Sequence, residues 1–350
     1  TATTEIYTLS LHDALPIFIR PAAHYQSFRE QDHEREFESM NTSLANKKRI
    51  VARLEQANPK QHLKRRKLSQ KIAFGLFWLM GLTAIAVLLW IVGYILSKGA
   101  ASINLEFLTT RPAGGFDGEG GISTTIVTTI YLVIFTIAIA APLGVGAGVY
   151  FVEYAGEAQN HSKFVHWLIN TARTGVEILA GVPSIIFGLF GFAIFVSFMK
   201  LKFSLLSAGL SGACMVLPVI IRTTEEALLA VPDSYRQGSL GLGATKWQTV
   251  TGVILPTALP GIITGIVLSV GRIISETAVF WVTLGGSYRL PQNLMSSGRT
   301  LALHVYMLAT ETRAFDKALG TSAILIIIII VLNLAINITS KRFQKRLSGK

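Results

Sequence analysis

The chain has 350 residues, of which 51% are hydrophobic and 15% charged, with a mean hydropathy of +0.49. Soluble domains usually carry about 25% charged residues, so this composition excludes an ordinary soluble domain and indicates a protein embedded in lipid. The net charge of +12 is typical of nucleic-acid binding or of the basic cytoplasmic loops of membrane proteins, and the long apolar runs favour the second. The single cysteine, Cys214, excludes a disulfide within the chain.

The first 39 residues differ in character from the rest. The first methionine is Met40, and residues 8–17 (TLSLHDALPI) resemble translated sequencing-adapter read-through. Residues 1–39 also lack the basic region and apolar core of a secretory signal. We therefore predict a non-native or disordered leader over residues 1–39, followed by a basic cytoplasmic tail over residues 40–71.

Long apolar windows predict an all-α integral membrane domain over residues 72–340. A membrane-spanning helix needs about 20 mostly apolar residues, and six windows qualify, the fourth being short. A separation of only a few residues between the third and fourth windows predicts a tight turn. The predicted transmembrane helices are 72–96, 122–150, 176–199, 205–221, 261–284 and 319–338.

The distribution of lysine and arginine predicts the orientation. The tail over residues 40–71 holds ten of them, and the basic tail over residues 341–350 holds five. Counted over all loops, the side that carries both termini holds twenty and the opposite side eight. The positive-inside rule therefore predicts that both termini are cytoplasmic, the N-in/C-in arrangement. Membrane anchoring also explains the first tail, so we expect lipid contacts and no nucleic-acid partner.

Glycine pairs at GxxxG spacing occur in two of the predicted spans. They are Gly144 with Gly148, and Gly261 with Gly265. Such pairs let helix backbones approach closely in lipid, so we predict close helix contacts there.

The cytoplasmic loop over residues 225–258 is the most informative segment. Asp233 follows a proline and predicts the N-cap of a short helix that begins at residue 234. Gly243 is suited to the left-handed conformation that ends such a helix. A first short helix with a glycine break is therefore predicted.

A second short helix is predicted after this break. Thr245 and Gln248 have the spacing of a capping box, and Pro256 predicts the end of the helix. A helix pair of this kind beneath a membrane domain is typical of a docking element for a soluble partner.

This loop resembles the EAA loop of ABC importer permeases. The family pattern is Glu-Ala-Ala, three residues, Gly, nine residues and Ile-x-Leu-Pro, and here Gly243 and the closing Leu255-Pro256 keep the spacing. The triplet falls on residues 237–239, where glutamine replaces the family's glutamate. The resemblance implies that the loop docks into a cleft on an ATPase subunit. The implied coupling residues are Asp233, Tyr235, Arg236, Gln237, Gly238, Ser239, Gly243, Thr245, Lys246, Trp247, Leu255 and Pro256.

Further segments resemble one branch, the PstA-type permeases of phosphate-specific ABC importers. They are residues 181–191, 222–236, 243–247 and 271–278, and the likeness covers about residues 70–340. The branch often has Gly-Glu-Thr-Ala-Pro where this chain has Ser275 to Val279. The resemblance implies a type I ABC importer permease bundle in the bacterial inner membrane that imports phosphate.

The same resemblance implies the partners. They are a second related permease subunit, two ATP-binding-cassette ATPase subunits and a periplasmic phosphate-binding protein. The sequence contains no G-x-x-x-x-G-K-[ST] phosphate loop. We therefore expect a non-catalytic subunit without a cofactor or metal of its own, with ATP and Mg²⁺ bound by the ATPase.

Ionisable residues within the apolar windows usually mark a transport pathway. Arg272 and Glu276 are four residues apart, which predicts that they share one face of the fifth span, and Arg222 is predicted to end the fourth. An arginine fork suits a tetrahedral oxyanion and stays charged. We predict that Arg222 and Arg272 line the phosphate pathway, with Glu276 as the partner of Arg272. The alternatives are an Arg–Glu pair that only fixes packing, and an Arg222 that extends to the cytoplasmic surface.

Two other functions remain open. The first is a permease for another oxyanion, such as sulfate, molybdate or phosphonate. The second is a membrane docking or sensing subunit that transports nothing, for which the same loop would serve.

Overall fold

The computed structural model describes residues 42, 45, 47–49, 59–114, 118–155 and 163–347. The predicted leader over residues 1–39 lies outside them. The chain divides into two units, Thr1–Ala86 and Val87–Lys350. Apart from the first part of the helix Pro59–Ala100, the features discussed below lie in the second unit.

The described residues form a series of helices and one small hairpin. Three π-helical turns, Tyr150–Tyr154, Phe192–Phe198 and Val250–Ile254, interrupt or extend the helices. The elements are α1 (Pro59–Ala100), α2 (Leu105–Thr109), β1 (Pro112–Gly114), β2 (Glu119–Gly120), α3 (Ser123–Val149), α4 (Lys163–Ala180), α5 (Ser184–Gly191), α6 (Leu205–Leu229), α7 (Asp233–Gly241), α8 (Lys246–Thr249), α9 (Leu255–Ser275), α10 (Ala278–Thr283), α11 (Leu301–Glu311) and α12 (Phe315–Leu347).

Five helical stretches among the described residues are long and apolar enough to cross a membrane. They are Ser69–Ala100, Ser123–Tyr154, Leu205–Leu229, Lys246–Ser275 and Phe315–Ile338. The α4–α5 pair, Lys163–Ala180 with Ser184–Phe198, is a sixth candidate. The first, second and sixth predicted spans are confirmed, and each observed end lies within four residues of the predicted one.

The third predicted span, residues 176–199, is wrong as one continuous helix. Helix α4 ends at Ala180, and α5 starts at Ser184 after a bend of 113°. Pro183 lies in the break, and a proline disfavours helical backbone at the preceding residue, here Val182. Most of the predicted span therefore lies after the bend, and α4 is a separate segment.

The fourth and fifth predicted spans are wrong at their boundaries. Helix α6 continues through its polar end to Leu229, beyond the predicted end at residue 221. An i,i+4 ion pair between Arg222 and Glu226 supports these additional helical residues. The fifth span starts at Lys246 and ends at Ser275. Pro256 does not end a helix, because a π turn with a wider hydrogen-bond spacing precedes it. At the end of this turn the Leu255 amide donates to the Val250 carbonyl, and the chain continues into α9.

Helix α6 lies at the centre of the packed helices. In α6, 67% of the apolar window is buried, against 39% or less in the other four single-helix spans. A Cβ added at Gly144 or Gly148 of α3 would lie 2.7 Å from Ile220 or Thr224 of α6. The predicted close approach of this pair is confirmed.

The second glycine pair brings α9 against another side of α6. A Cβ added at Gly261 would lie 2.6 Å from the Ala227 Cβ, and one at Gly265 would clash with Thr223. The predicted close approach is confirmed here too. Helices α3 and α9 therefore both pack closely against α6, and each must move together with it.

The predicted tight turn before α6 is confirmed. Lys200 and Lys202 have positive φ angles of 55° and 57°. The Ser204 amide donates to the Thr283 carbonyl at 3.2 Å, and the Leu205 amide donates to the Ser296 carbonyl at 3.0 Å. The turn is therefore fixed to the last residue of α10 and to the segment that follows it.

A buried arginine organises the segment between α10 and α11. Arg299 is 5% exposed, and its Nε donates to the Gly286 carbonyl at 3.0 Å. Its guanidinium stacks on the Tyr288 ring at 4.1 Å and lies 3.3 Å from the His304 Nδ1. Burial, with a smaller contribution from Arg299, lowers the pKa of His304 to about 3, so this imidazole is neutral at physiological pH.

Candidate coupling and translocation site

Helix α7 begins one residue earlier than predicted. Asp233 is its first residue rather than its N-cap, and Pro232 occupies the cap position without a side-chain hydrogen bond. The proline fixes φ near the value that a helix start needs. The Asp233 carboxylate instead accepts a hydrogen bond from Arg236 at 3.1 Å. The predicted cap is therefore wrong, although the predicted helix exists.

The glycine break and the capping box that follow are confirmed. Gly243 has a φ of +86°, a conformation that favours glycine, and its amide donates to the Leu240 carbonyl at 2.9 Å. The Thr245 amide donates to the Gln248 side-chain oxygen at 2.8 Å, and the Gln248 amide donates to the Thr245 hydroxyl at 3.3 Å. We call residues 233–249, which contain α7 and α8, the coupling helices, after the role that the resemblance to the EAA loop predicts.

The coupling helices expose large apolar side chains. Leu242 is 91% exposed and Trp247 66%, and Tyr235 and Leu240 are each 49% exposed. Tyr235, Leu240 and Leu242 lie in the loop between the candidate spans Leu205–Leu229 and Lys246–Ser275, and Trp247 is the second residue of the latter span. An exposed apolar group within a polar surrounding is typical of a protein-binding surface.

The altered triplet lies on the exposed part of α7. Gln237 and Gly238 are exposed, and a Cβ added at Gly238 would meet no atom within 4 Å. Ser239 is half-buried, and its hydroxyl lies 2.9 Å from the Thr249 hydroxyl, which joins the two coupling helices. The chain's own packing therefore does not require the glycine at position 238.

Arg236 fastens α7 to two other helices. Its Nη1 donates to the Val231 carbonyl and its Nη2 to the Leu228 carbonyl, each at 2.9 Å. Its Nη2 and Nε donate to Glu153 Oε1 at 2.7 and 3.1 Å. With the Asp233 contact, every guanidinium N–H has a partner. The hydrogen bonds to Glu153 are the main cause that raises the pKa of Arg236 above its ordinary value.

Arg222 lies within α6, not at the end of the helix as predicted. Its guanidinium is 3.3 Å from Glu226, 3.8 Å from Glu225 and 3.9 Å from Glu177. Arg173 of α4 lies 3.6 Å from the same Glu225, whose side chain is 11% exposed. These five residues are the Arg222 cluster, and its three carboxylates outnumber its two guanidinium groups.

The Arg222 cluster lines a cleft of about 510 Å³ between α4, α6 and the π turn that follows α3. The cleft also contains Phe151 and Val152 of that turn and Pro218 of α6. Arg173 Nη2 donates to the Phe151 carbonyl at 2.6 Å, and the Arg173 guanidinium lies 5.6 Å from the Phe151 ring centroid. The cluster is therefore connected directly to the end of α3.

Arg272 and Glu276 do not form the predicted pair on one helix face. Helix α9 ends at Ser275, and Glu276 has an extended backbone with ψ of 130°. Its carboxylate instead accepts a hydrogen bond from the Val279 amide at 3.2 Å, at the start of α10. The backbone breaks here without the proline that the family often has, and the Glu276 side chain satisfies an amide at the new helix start.

Arg272 is half-buried in the last turn of α9. Among the described residues, no carboxylate lies within 4.0 Å of its guanidinium nitrogens. The contacts of Gly261 with Ala227 and of Gly265 with Thr223 place Arg272 about level with Val216, near the middle of α6. At 1.5 Å per residue, its level is about 9 Å from that of Arg222 along the helix axis.

Residues 144–349 match the family described as binding-protein-dependent transport system inner membrane component. The chain belongs to this family. This chain is 33% identical over 300 residues to the probable ABC transporter permease protein YqgI of Bacillus subtilis. The match covers 81% of this chain and 99% of that protein. It is 30% identical to the phosphate transport system permease protein PstA 1 of Mycobacterium tuberculosis H37Rv, covering 77% and 87%.

A solved structure supports the fold of the permease. It is a bacterial ABC transporter involved in the import of the acidic polysaccharide alginate, with a TM-score of 0.52 and 16% identity over 76% of this chain and 96% of that one. The predicted type I ABC importer permease bundle and multi-pass inner-membrane location are thus confirmed.

Sequence reasoning missed Arg173, Glu225 and Glu153. Arg173 and Glu225 belong to different helices, and Glu153 is 83 residues from Arg236. A single sequence contains no signal for pairs at such separations. The polar run at residues 222–226 was the available hint for Glu225, because the helix continues through it.

Proposed function

We propose that this permease imports inorganic phosphate into the cytoplasm and is driven by separate ATPase subunits that contact the coupling helices. A second related permease subunit completes the pathway, and a periplasmic phosphate-binding protein delivers the anion. Both termini and the coupling helices then face the cytoplasm, and ATP and Mg²⁺ bind to the ATPases. The names of the relatives support the substrate, since proteins called phosphate transport system permease PstA match at 30 to 31% identity over three quarters of this chain.

The exposed apolar group on the coupling helices is the observation that carries the ATPase contact. Leu242 and Trp247 are the most exposed of these residues and lie on either side of Gly243, which fixes the angle between α7 and α8. The capping box at Thr245 keeps the start of α8 rigid. A rigid, amphipathic helix pair can transfer a push from a soluble partner to α6 and α9, the two helices it joins.

The two arginines have different surroundings, which supports different roles in transport. Arg272 has no carboxylate within 4.0 Å among the described residues, so an arriving oxyanion meets a guanidinium that is not held in an ion pair by this part of the chain. Arg222 is surrounded by carboxylates of the Arg222 cluster. An anion can reach Arg222 only by competing with these carboxylates, which weakens binding there and favours release.

The test is ATP-dependent uptake of labelled phosphate into vesicles that contain the permease with its candidate partner permease, ATPase and binding protein. Excess sulfate, molybdate and phosphonate serve as competitors. Uptake that only unlabelled phosphate blocks supports the proposal, and a block by another oxyanion changes the substrate but keeps the importer. An assembled complex without any uptake would favour a docking or sensing subunit instead.

Arg272→Lys tests the pathway residue in the same vesicles. Lysine keeps the charge but not the bidentate fork, so we expect phosphate uptake to fall by about tenfold or more, the equivalent of one lost hydrogen bond to a charged group. Arg289→Lys, an exposed arginine in the segment before α11, is the matched control. Wild-type uptake by Arg272→Lys at normal membrane abundance would remove the guanidinium from the mechanism.

A further inference from the structure

The π turn Tyr150–Tyr154 at the end of α3 contacts both coupling helices. Glu153 accepts the hydrogen bonds of Arg236 from α7, at 2.7 and 3.1 Å. Lys246, the first residue of α8, places its ammonium 4.9 Å from the centre of the Tyr154 ring. A π turn inside a helix is rare and frequently lies at a functional site. Here it joins the docking loop to a helix that does not belong to the loop.

The Glu153–Arg236 contact is much better defined than a surface ion pair. The Glu153 side chain is 7% exposed and that of Arg236 is 19% exposed. The same guanidinium also donates to the Leu228 carbonyl in the last turn of α6 and to the Val231 carbonyl just after α6 ends. Arg236 therefore fixes the relative positions of α7, the end of α6 and the end of α3, and α7 cannot tilt without stressing Glu153.

The opposite side of the same π turn contacts the Arg222 cluster. The Phe151 carbonyl, two residues before Glu153, accepts the 2.6 Å hydrogen bond from Arg173. Arg173 pairs with Glu225, and Glu225 pairs with Arg222. Together with the backbone of the π turn between Glu153 and Phe151, contacts at hydrogen-bond or ion-pair distance thus connect α7 to the guanidinium of Arg222.

Given the ATPase contact of the coupling helices, on which this inference rests, we propose that Glu153 transmits their movement through the π turn to the Arg222 cluster. A tilt of α7 pulls Glu153, shifts Phe151 and withdraws Arg173 from Glu225. The carboxylates then redistribute between the two arginines, and the cleft at Arg222 opens for phosphate release. Glu153 is a positioning residue in this scheme, because it contacts neither phosphate nor ATP.

Glu153→Gln tests the relay in the assembled transporter, with ATP hydrolysis and phosphate uptake measured in the same vesicles. Glutamine keeps a hydrogen-bond acceptor but removes the charge that strengthens the bond. We expect ATP hydrolysis close to the wild-type rate and about tenfold less phosphate moved per ATP, the factor that one charge-assisted hydrogen bond is worth. Glu153→Asp, which keeps the charge on a shorter stem, should give an intermediate ratio.

Glu311→Gln is the matched control, because Glu311 is exposed in α11 and far along the chain from the coupling helices. Its ratio of phosphate moved to ATP hydrolysed should equal that of the wild type. An unchanged ratio in Glu153→Gln, or a proportional loss of uptake and hydrolysis in both Glu153 variants, would overturn the relay. A wild-type complex that takes up no phosphate with ATP would instead refute the proposed function, so the two failures are distinguishable.

Discussion

The two ends of the central helix α6 differ in whether the basic side chains near them are paired with carboxylates. At the end near Leu229, Arg236, Arg222 and Arg173 each lie within 4.0 Å of a carboxylate. At the other end, the segments over residues 199–204 and 285–300 contain Lys200, Lys202, Arg289 and Arg299 and no Asp or Glu. Arg299 is buried against a carbonyl, a neutral imidazole and an aromatic ring.

This difference indicates what each end can do. Paired charges hold helices in defined positions, and they can exchange partners when the helices move, as the shared Glu225 illustrates. Basic side chains that contact only neutral groups keep a positive electrostatic potential around them, which raises the local concentration of anions. Under the proposed function, the anion enters at the unpaired end and the ATPases push at the paired end.

The largest expected effect on stability comes from breaking the paired end. Glu153→Ala leaves the largely buried guanidinium of Arg236 without its main carboxylate, and breaking a buried pair by removal of one partner costs about 3 kcal/mol or more. The apparent Tm of the purified permease in detergent, followed by fluorescence, should fall clearly. The exposed Glu311→Ala should stay within about 0.5 kcal/mol of the wild type. Equal Tm values for the two variants would show that the Glu153–Arg236 contact does not stabilise the fold.

A smaller effect is expected from the unpaired end. Arg299→Met keeps most of the side-chain volume and leaves only neutral groups, chiefly the Gly286 carbonyl, without a partner. The cost of one such buried acceptor is about 1 to 2 kcal/mol. Arg289→Met, an exposed change in the same segment, is the control. A loss of stability in Arg299→Met as large as that in Glu153→Ala would contradict the contrast between the two ends.

The sequence predicted the features that depend on neighbouring residues. Apolar windows located the spans, the glycine pairs located the close contacts with α6, and Gly243 with Thr245 located the break between the coupling helices. The prediction failed where one local signal, a proline, is compatible with two different structures. Pro183 broke a span, whereas Pro256 did not end a helix, because the π turn at residues 250–254 changed the hydrogen-bond register before it.

The site was harder to predict than the fold for a related reason. Arg222 and Arg272 were recognised as charges in apolar surroundings, but their partners depend on helix ends and on distant residues. The predicted Arg272–Glu276 pair assumed that the helix continued, and the break after Ser275 removed that geometry. The Arg222 cluster needs α4, whose position follows from the bend at Pro183 rather than from any pattern near Arg222.

The smallest expected effect concerns the altered triplet at the paired end. Gly238 lies inside α7 with no atom within 4 Å of an added Cβ, so Gly238→Ala should stabilise the permease by about 0.5 to 1 kcal/mol. The same change at Gly243, where φ is +86°, should destabilise it by about 1 to 2 kcal/mol. Apparent Tm values of the two variants in detergent should therefore move in opposite directions.

Uptake measurements on the same two variants separate folding from docking. If the space beside Gly238 is free in the assembled transporter, Gly238→Ala raises the Tm and leaves phosphate uptake unchanged. If the ATPase fills that space, the Tm of the isolated permease still rises, but uptake and ATP hydrolysis in the complex both fall. The second result would place the ATPase surface directly on the exposed part of α7 and explain the glycine by the partner, because the permease alone gives no packing reason for it.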